Sequence, residues 1–240
     1  MPASRQPGQT RFIGARPSAG ATALLIAFVS SFVVLLFLHE GPVAWVTAHF
    51  GLNPMEAIGR RPWQLVTSWL LQPGLGTVIS DVFGVWIFAT AVEQQAGRAR
   101  MFGLFVGGQL AGSLAVAIFG RALHMSTIVA GSSSGVVALV LGFGSIYGQM
   151  PLRLFGLAEL KAKTLAWLVI GLGLFVAIVN LSWLTLVGDL AALGAAAILL
   201  QQMDHIENLY DTWRLKRLRG RRFNVIEGGR GKEKSRRYMN

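Results

Sequence analysis

The chain contains no cysteine, which excludes disulfides, thiolate catalysis and cysteine-bound metal. Its four histidines, His39, His49, His124 and His205, are scattered, and none lies between residues 125 and 204. No HExxH or His-x-x-x-His spacing occurs, so neither a metal centre nor any other cofactor is expected. Charge is scarce as well. Only 14% of the residues are Asp, Glu, Lys or Arg, against about 25% in soluble domains. What is left is apolar: 53% hydrophobic residues and a mean hydropathy of +0.53. The composition is that of an all-α membrane protein.

Apolar runs near the roughly 20 residues needed to cross a bilayer recur six times, at about 20–39, 64–91, 101–119, 128–148, 163–180 and 183–203. The second is long and includes an interfacial approach ahead of the true span. Three regions follow: a cytoplasmic N-terminal tail over 1–19, a six-span membrane domain over 20–203, and a basic cytoplasmic tail over 204–240. The polar head before the first run is too long for a simple signal peptide, so that run reads as an uncleaved anchor. Residues 40–63 form an outer loop with Trp45, Phe50 and Trp63, expected to lie in the membrane interface as short helices. Gly103/Gly107 and Gly108/Gly112 bare one surface of the third span for close helix packing.

The net charge of +11 informs through its distribution. With the N-terminus inside, nineteen Lys/Arg fall on the cytoplasmic side and three, Arg60, Arg61 and Arg121, outside. The positive-inside rule therefore puts both termini in the cytoplasm. The basic balance is a topology signal and needs no nucleic acid. The tail bases Arg214, Lys216, Arg217, Arg219, Arg221 and Arg222 suit an anionic lipid surface or an acidic partner.

One stretch carries chemistry: GSSSGVVALVLGFGSIYG, residues 131–148, in which Ser132-Ser133-Ser134-Gly135 heads the fourth apolar run. A serine at the start of a helix lies beside free backbone N–H groups. Other segments stand in order around it: Pro62-Trp63-Gln64-Leu65-Val66-Thr67 before span 2, Glu93, Gly97 and Arg100-Met101-Phe102 in the turn between spans 2 and 3, and Ser134-Gly135-Val136-Val137-Ala138-Leu139 with Gly142 beyond. Taken together over residues 20–203, these resemble the rhomboid family of intramembrane serine proteases. The resemblance implies a six-helix bundle in which Ser134 matches the nucleophile and Gly135 permits the tight turn after it.

The remaining machinery departs from the family. In rhomboids a span 6 histidine takes the serine proton, and a span 2 His-x-x-x-Asn pair helps hold the oxyanion. Aligning Trp86 and the Glu93 turn puts Thr77 at that histidine and Asp81 at that asparagine. Aligning Ala191–Ala195 puts Ala192 at the base. Serine is a weak nucleophile without a base in reach, alanine moves no proton, and an ionised Asp81 would repel an oxyanion. Two substitutes for the base are conceivable: His124, ten residues before Ser134, and Asp189, nearly one turn before Ala192. An aspartyl dyad of Asp81 and Asp189 is a third idea, since Gly188-Asp189 is similar to the Gly-x-Gly-Asp turn of presenilin-like proteases. These two acids, the only ones inside the expected spans, should face protein and not lipid. Asp81 and Asp189 are expected in one cavity beside Ser132–Ser134.

The reading is a rhomboid-fold pseudoprotease, with Ser134 a vestigial nucleophile, that binds the transmembrane helices of other membrane proteins without cleaving them. The alternatives are an active serine-type intramembrane endopeptidase with a non-standard base, and a structural subunit of a membrane complex. The absence of an organelle signal suggests a bacterial inner membrane.

Overall fold

A computed structural model describes residues 16–72, 74–154 and 158–219, without the side chains of 152–159 and 203–219. The expected N-terminal tail to residue 15 and the charged extension from Gly220 lie outside the described residues. The chain divides into two units, Met1–Gln202 and Met203–Asn240.

In the first unit, among the described residues, five helices are long and apolar enough to cross a membrane, and a sixth apolar helix is shorter. They are α1 (Ala19–Phe37), a rod made of α5 (Leu75–Gly84), a π turn (Val85–Ala89) and α6 (Thr90–Ala96), then α7 (Arg98–Ala122), α8 (Ser133–Tyr147), α9 (Ala162–Val179) and α10, which begins at Trp183. In the second unit the backbone of α10 stays helical to Arg219. The long second apolar run resolves into α4 (Gln64–Thr67) and, after a break, the span from Leu75. The outer loop folds into α2 (Glu40–Phe50) and α3 (Pro54–Ala57). A two-stranded hairpin, β1 (Pro151–Leu154) with β2 (Ala158–Lys161), pairs antiparallel between α8 and α9 with Pro151 opposite Lys161. The sequence reading had no strand there.

The core is built where α7, α8 and the α5–α6 rod meet. Phe88, Val92, Met101, Leu104, Phe105, Leu139 and Phe143 are all buried there. The Phe88 and Phe143 rings meet edge to face at 5.3 Å between centroids, a preferred aromatic geometry. The outward faces, with Phe37, Leu172, Phe175 and Val179 exposed, are apolar. In a membrane-spanning bundle these are the surfaces that meet lipid, where burial against protein is not needed.

Two features fix the position of the Ser132–Ser134 turn. First, α8 has 15 residues, about 22 Å at 1.5 Å per residue, against a hydrocarbon core of about 30 Å. The start of the fourth apolar run is not helical and pairs with the segment ahead of span 2. Leu52 and Val129 exchange N–H···O bonds of 2.9 Å, and the Gly131 N–H donates to the Ser68 carbonyl at 3.0 Å. Second, the outer segment is itself pinned by the fully buried Gln64. Its amide donates to the carbonyls of Ala48 and His49, and its Oε1 accepts from the Asn53 N–H. Buried backbone groups away from a ladder need such partners.

Span 1 is lightly buried, with only Gly20, Ala21 and Phe28 enclosed. Its N-terminal end is held by Glu93, whose carboxylate accepts from Ser18 Oγ (2.5 Å) and from the N–H groups of Gly20 (3.2 Å) and Ala21 (3.1 Å). An acid is a natural partner for the free N–H groups that begin a helix. Arg98 pairs with the same carboxylate at 3.1 Å.

Candidate functional site

The turn at the head of α8 begins with Gly131, whose φ of +115° favours glycine. A Cβ there would also come within 3.0 Å of Thr77 Cγ2. The chain then enters α8 at Ser133, and three side chains from three other elements close on residues 131–135.

From α5, Asp81 is buried and gathers three donors on one oxygen, Oδ2: the Ser132 N–H at 2.8 Å, Ser132 Oγ at 2.6 Å and Gln72 Nε2 at 3.1 Å. From α10, Asp189 is buried, and its Oδ1 accepts from Ser134 Oγ at 2.9 Å and Ser133 Oγ at 3.1 Å. From α7, Gln109 bridges the turn. Its Oε1 accepts from the Gly135 N–H at 2.7 Å, and its Nε2 donates to the Gly131 carbonyl at 3.2 Å. All three hydroxyls of the serine run are thus engaged, two by Asp189 and one by Asp81. The fit is close. A Cβ on Gly112 of α7 would stand 2.5 Å from Ser134 Oγ and 3.0 Å from the Gly188 carbonyl, so a bare backbone lets α7, α8 and α10 converge on Ser134.

The residues singled out from sequence fall as follows. Ser134, Gly135, Asp81 and Asp189 come together. Both acids face the bundle interior, and each binds the serine turn from a different helix. Thr77 stands beside Gly131, with its hydroxyl in no hydrogen bond among the described residues. Ala192 is fully enclosed on α10. His124 lies in the turn just after α7 with a φ of 52°, and is exposed. The Ser134 hydroxyl donates to Asp189 and not to an imidazole.

Two members of the site were not singled out in the sequence, Gln72 and Gln109. Each is a lone amide in an apolar surrounding. An amide inside a span must find partners or leave polar groups unsatisfied in a medium without water, and that was the available signal. Among the described residues no group of three or more His, Cys, Asp or Glu side chains is placed to hold a metal ion.

What the arrangement can do chemically follows from its donors and acceptors. Two carboxylates hold the serines, and no Lys, Arg or His pairs with either acid among the described residues. The Ser132 N–H, a donor that could have faced an incoming oxygen, is already bound to Asp81.

In comparison with known proteins, a family model described as "Rhomboid domain" matches residues 59–202, which hold the whole constellation from Gln72 to Asp189. No curated protein matches the chain.

Proposed function

The chain belongs to the rhomboid family, and we propose that within it this protein binds the transmembrane segments of other membrane proteins without cutting them. The observation that carries the reading is the pairing of Ser134 with a carboxylate, while the position the resemblance gives to the base is a buried alanine, Ala192. A serine needs a base of suitable basicity in hydrogen-bond reach, and the oxyanion needs donors free to meet it. Here Asp81 fills the asparagine position with an acceptor and takes the Ser132 N–H for itself. The fold would then serve recognition alone: spans that pack closely through small residues, around a polar centre able to meet a polar or kinked segment of a client helix. Both termini lie in the cytoplasm of a bacterial inner membrane on this reading, and the basic tail rests on anionic lipid or an acidic partner.

A second reading has an observation of its own. The 2.9 Å bond from Ser134 Oγ to Asp189 Oδ1 would let Asp189 act as the base of an active serine endopeptidase.

The two part in proteoliposomes containing single-span proteins whose helices carry polar or helix-breaking residues. The proposed function expects site-directed crosslinking of such segments to the protein, with no cleavage that depends on Ser134. Fragments that appear with wild type and vanish with both Ser134→Ala and Asp189→Asn would replace it with the second reading. Neither crosslink nor cleavage would remove client binding altogether and leave a structural subunit.

A further inference from the structure

α9 packs one face against α8. It buries Ala162, Ala166, Ile170 and Ala177, and a Cβ on Gly144 of α8 would stand 2.6 Å from Ala166 Cβ. The other face carries a shallow groove lined by Thr164, Trp167, Leu168, Gly171, Leu172 and Phe175, all exposed. Gly171 forms its floor, since a Cβ there would meet nothing within 4 Å. From Thr164 to Phe175 the helix rises about 16 Å at 1.5 Å per residue. That is half of a hydrocarbon core of about 30 Å, so the groove runs the depth of one leaflet. Its upper end is basic. Lys161 and Lys163 are exposed at the head of α9, and neither pairs with an acid among the described residues. Thr164 adds a hydroxyl at the same end.

The face is therefore cationic and polar at the membrane boundary and apolar below it. An empty notch would forfeit dispersion contacts along its walls, so an occupant is favoured. A partner helix fits poorly. Close approach of two helices needs small residues four apart, and the positions four before and four after Gly171 are Trp167 and Phe175. A flexible acyl chain needs only the notch. We propose that this face binds one anionic phospholipid, with its phosphate at Lys161 and Lys163 and one acyl chain lying over Gly171 between Trp167 and Phe175. Basic clusters at the ends of transmembrane helices recognise such headgroups. On the topology read from the basic residues, the lipid belongs to the cytoplasmic leaflet. The site shares no residue with the serine turn and does not depend on client binding.

The test is tryptophan fluorescence of the full-length protein in phosphatidylcholine nanodiscs at fixed ionic strength. Lipid with brominated acyl chains, which quench a tryptophan they touch, replaces the host lipid stepwise, as phosphatidylglycerol in one arm and as phosphatidylcholine in the other. The chain has seven tryptophans, so the signal of Trp167 is read in each variant as the difference made by Trp167→Phe. The expected result is half-quenching of Trp167 at a mole fraction about tenfold lower for the anionic lipid, the order that two lysines supply. The double variant Lys161→Gln, Lys163→Gln should bring the two arms together. Gly171→Leu, which fills the notch, should reduce the preference severalfold; Gly171→Ala takes its place if the larger side chain disturbs the helix. Arg214→Gln with Arg217→Gln, in the basic tail, should keep it. Equal quenching in both arms overturns the proposal, since the face would then meet bulk lipid only. So does a preference that survives the loss of both lysines, or one indifferent to residue 171. Weak quenching of Trp167 by either lipid also overturns it and would mean that a second copy of the chain covers the face.

Discussion

Asp81 holds three donors with a single carboxylate oxygen, so the consequences of replacing it depend on shape and not on charge alone. Asparagine keeps an acceptor in the same place and is expected to be tolerated. Leucine strands the Ser132 N–H, the Ser132 hydroxyl and the Gln72 amide. Leaving a buried donor unsatisfied costs about 1–3 kcal/mol, and Asp81→Leu should lower stability by that order. Unfolding curves of wild type, Asp81→Asn and Asp81→Leu in one bilayer composition check this, and three equal midpoints would refute it. Gln109→Leu should act in the same way, by about 1–3 kcal/mol, because it orphans the Gly135 N–H and the Gly131 carbonyl. At this scale the sequence disclosed the acids but not the amides. An aspartate within an apolar run stands out because it is expensive there. A glutamine is unremarkable until its two ends are seen to bind the two ends of a turn.

Among the elements, α8 governs the site because it is too short to cross the core alone, and its non-helical approach is held by backbone bonds to Leu52 and Ser68. Gly112 of α7 is the matching requirement on its neighbour. Filling a closely packed helix contact typically costs about 1–3 kcal/mol, so Gly112→Ala should destabilise by that order and disturb Ser134. Gly171→Ala on α9, where a Cβ would meet nothing within 4 Å, should not. Melting temperatures of the two variants side by side test the contrast. Elements of this kind were partly legible. Apolar length located the spans, and the paired glycines of the third run marked it for close packing. The hairpin at Pro151–Lys161 and the π turn at Val85–Ala89 were hidden, because neither changes the apolar pattern that a sequence shows. The apolar run that holds α8 begins about five residues before the helix itself. Residues 128–132 are as apolar and small as a helix would be, but the backbone bonds of Val129 to Leu52 and of Gly131 to Ser68, with the positive φ of Gly131, keep them out of the helix.

For the whole molecule, the bundle follows from composition and the length of the apolar runs, and the family follows from the ordered segments around the serine run. Orientation rests on the 19-to-3 division of basic residues. A C-terminal reporter active only in the cytoplasm should therefore be active, and one active only after export should stay silent. The opposite pattern would invert the topology. The central claim is that this fold holds its serine without putting it to use, since Ala192 offers no proton acceptor and both acids are occupied as clamps. The most direct measurement is reaction of the purified, membrane-reconstituted protein with a serine-directed fluorophosphonate, read by mass spectrometry at Ser134. The account expects no more label on wild type than on Ser134→Ala. Robust labelling of Ser134 that falls away in Asp189→Asn would contradict it and make Asp189 the base of a working enzyme.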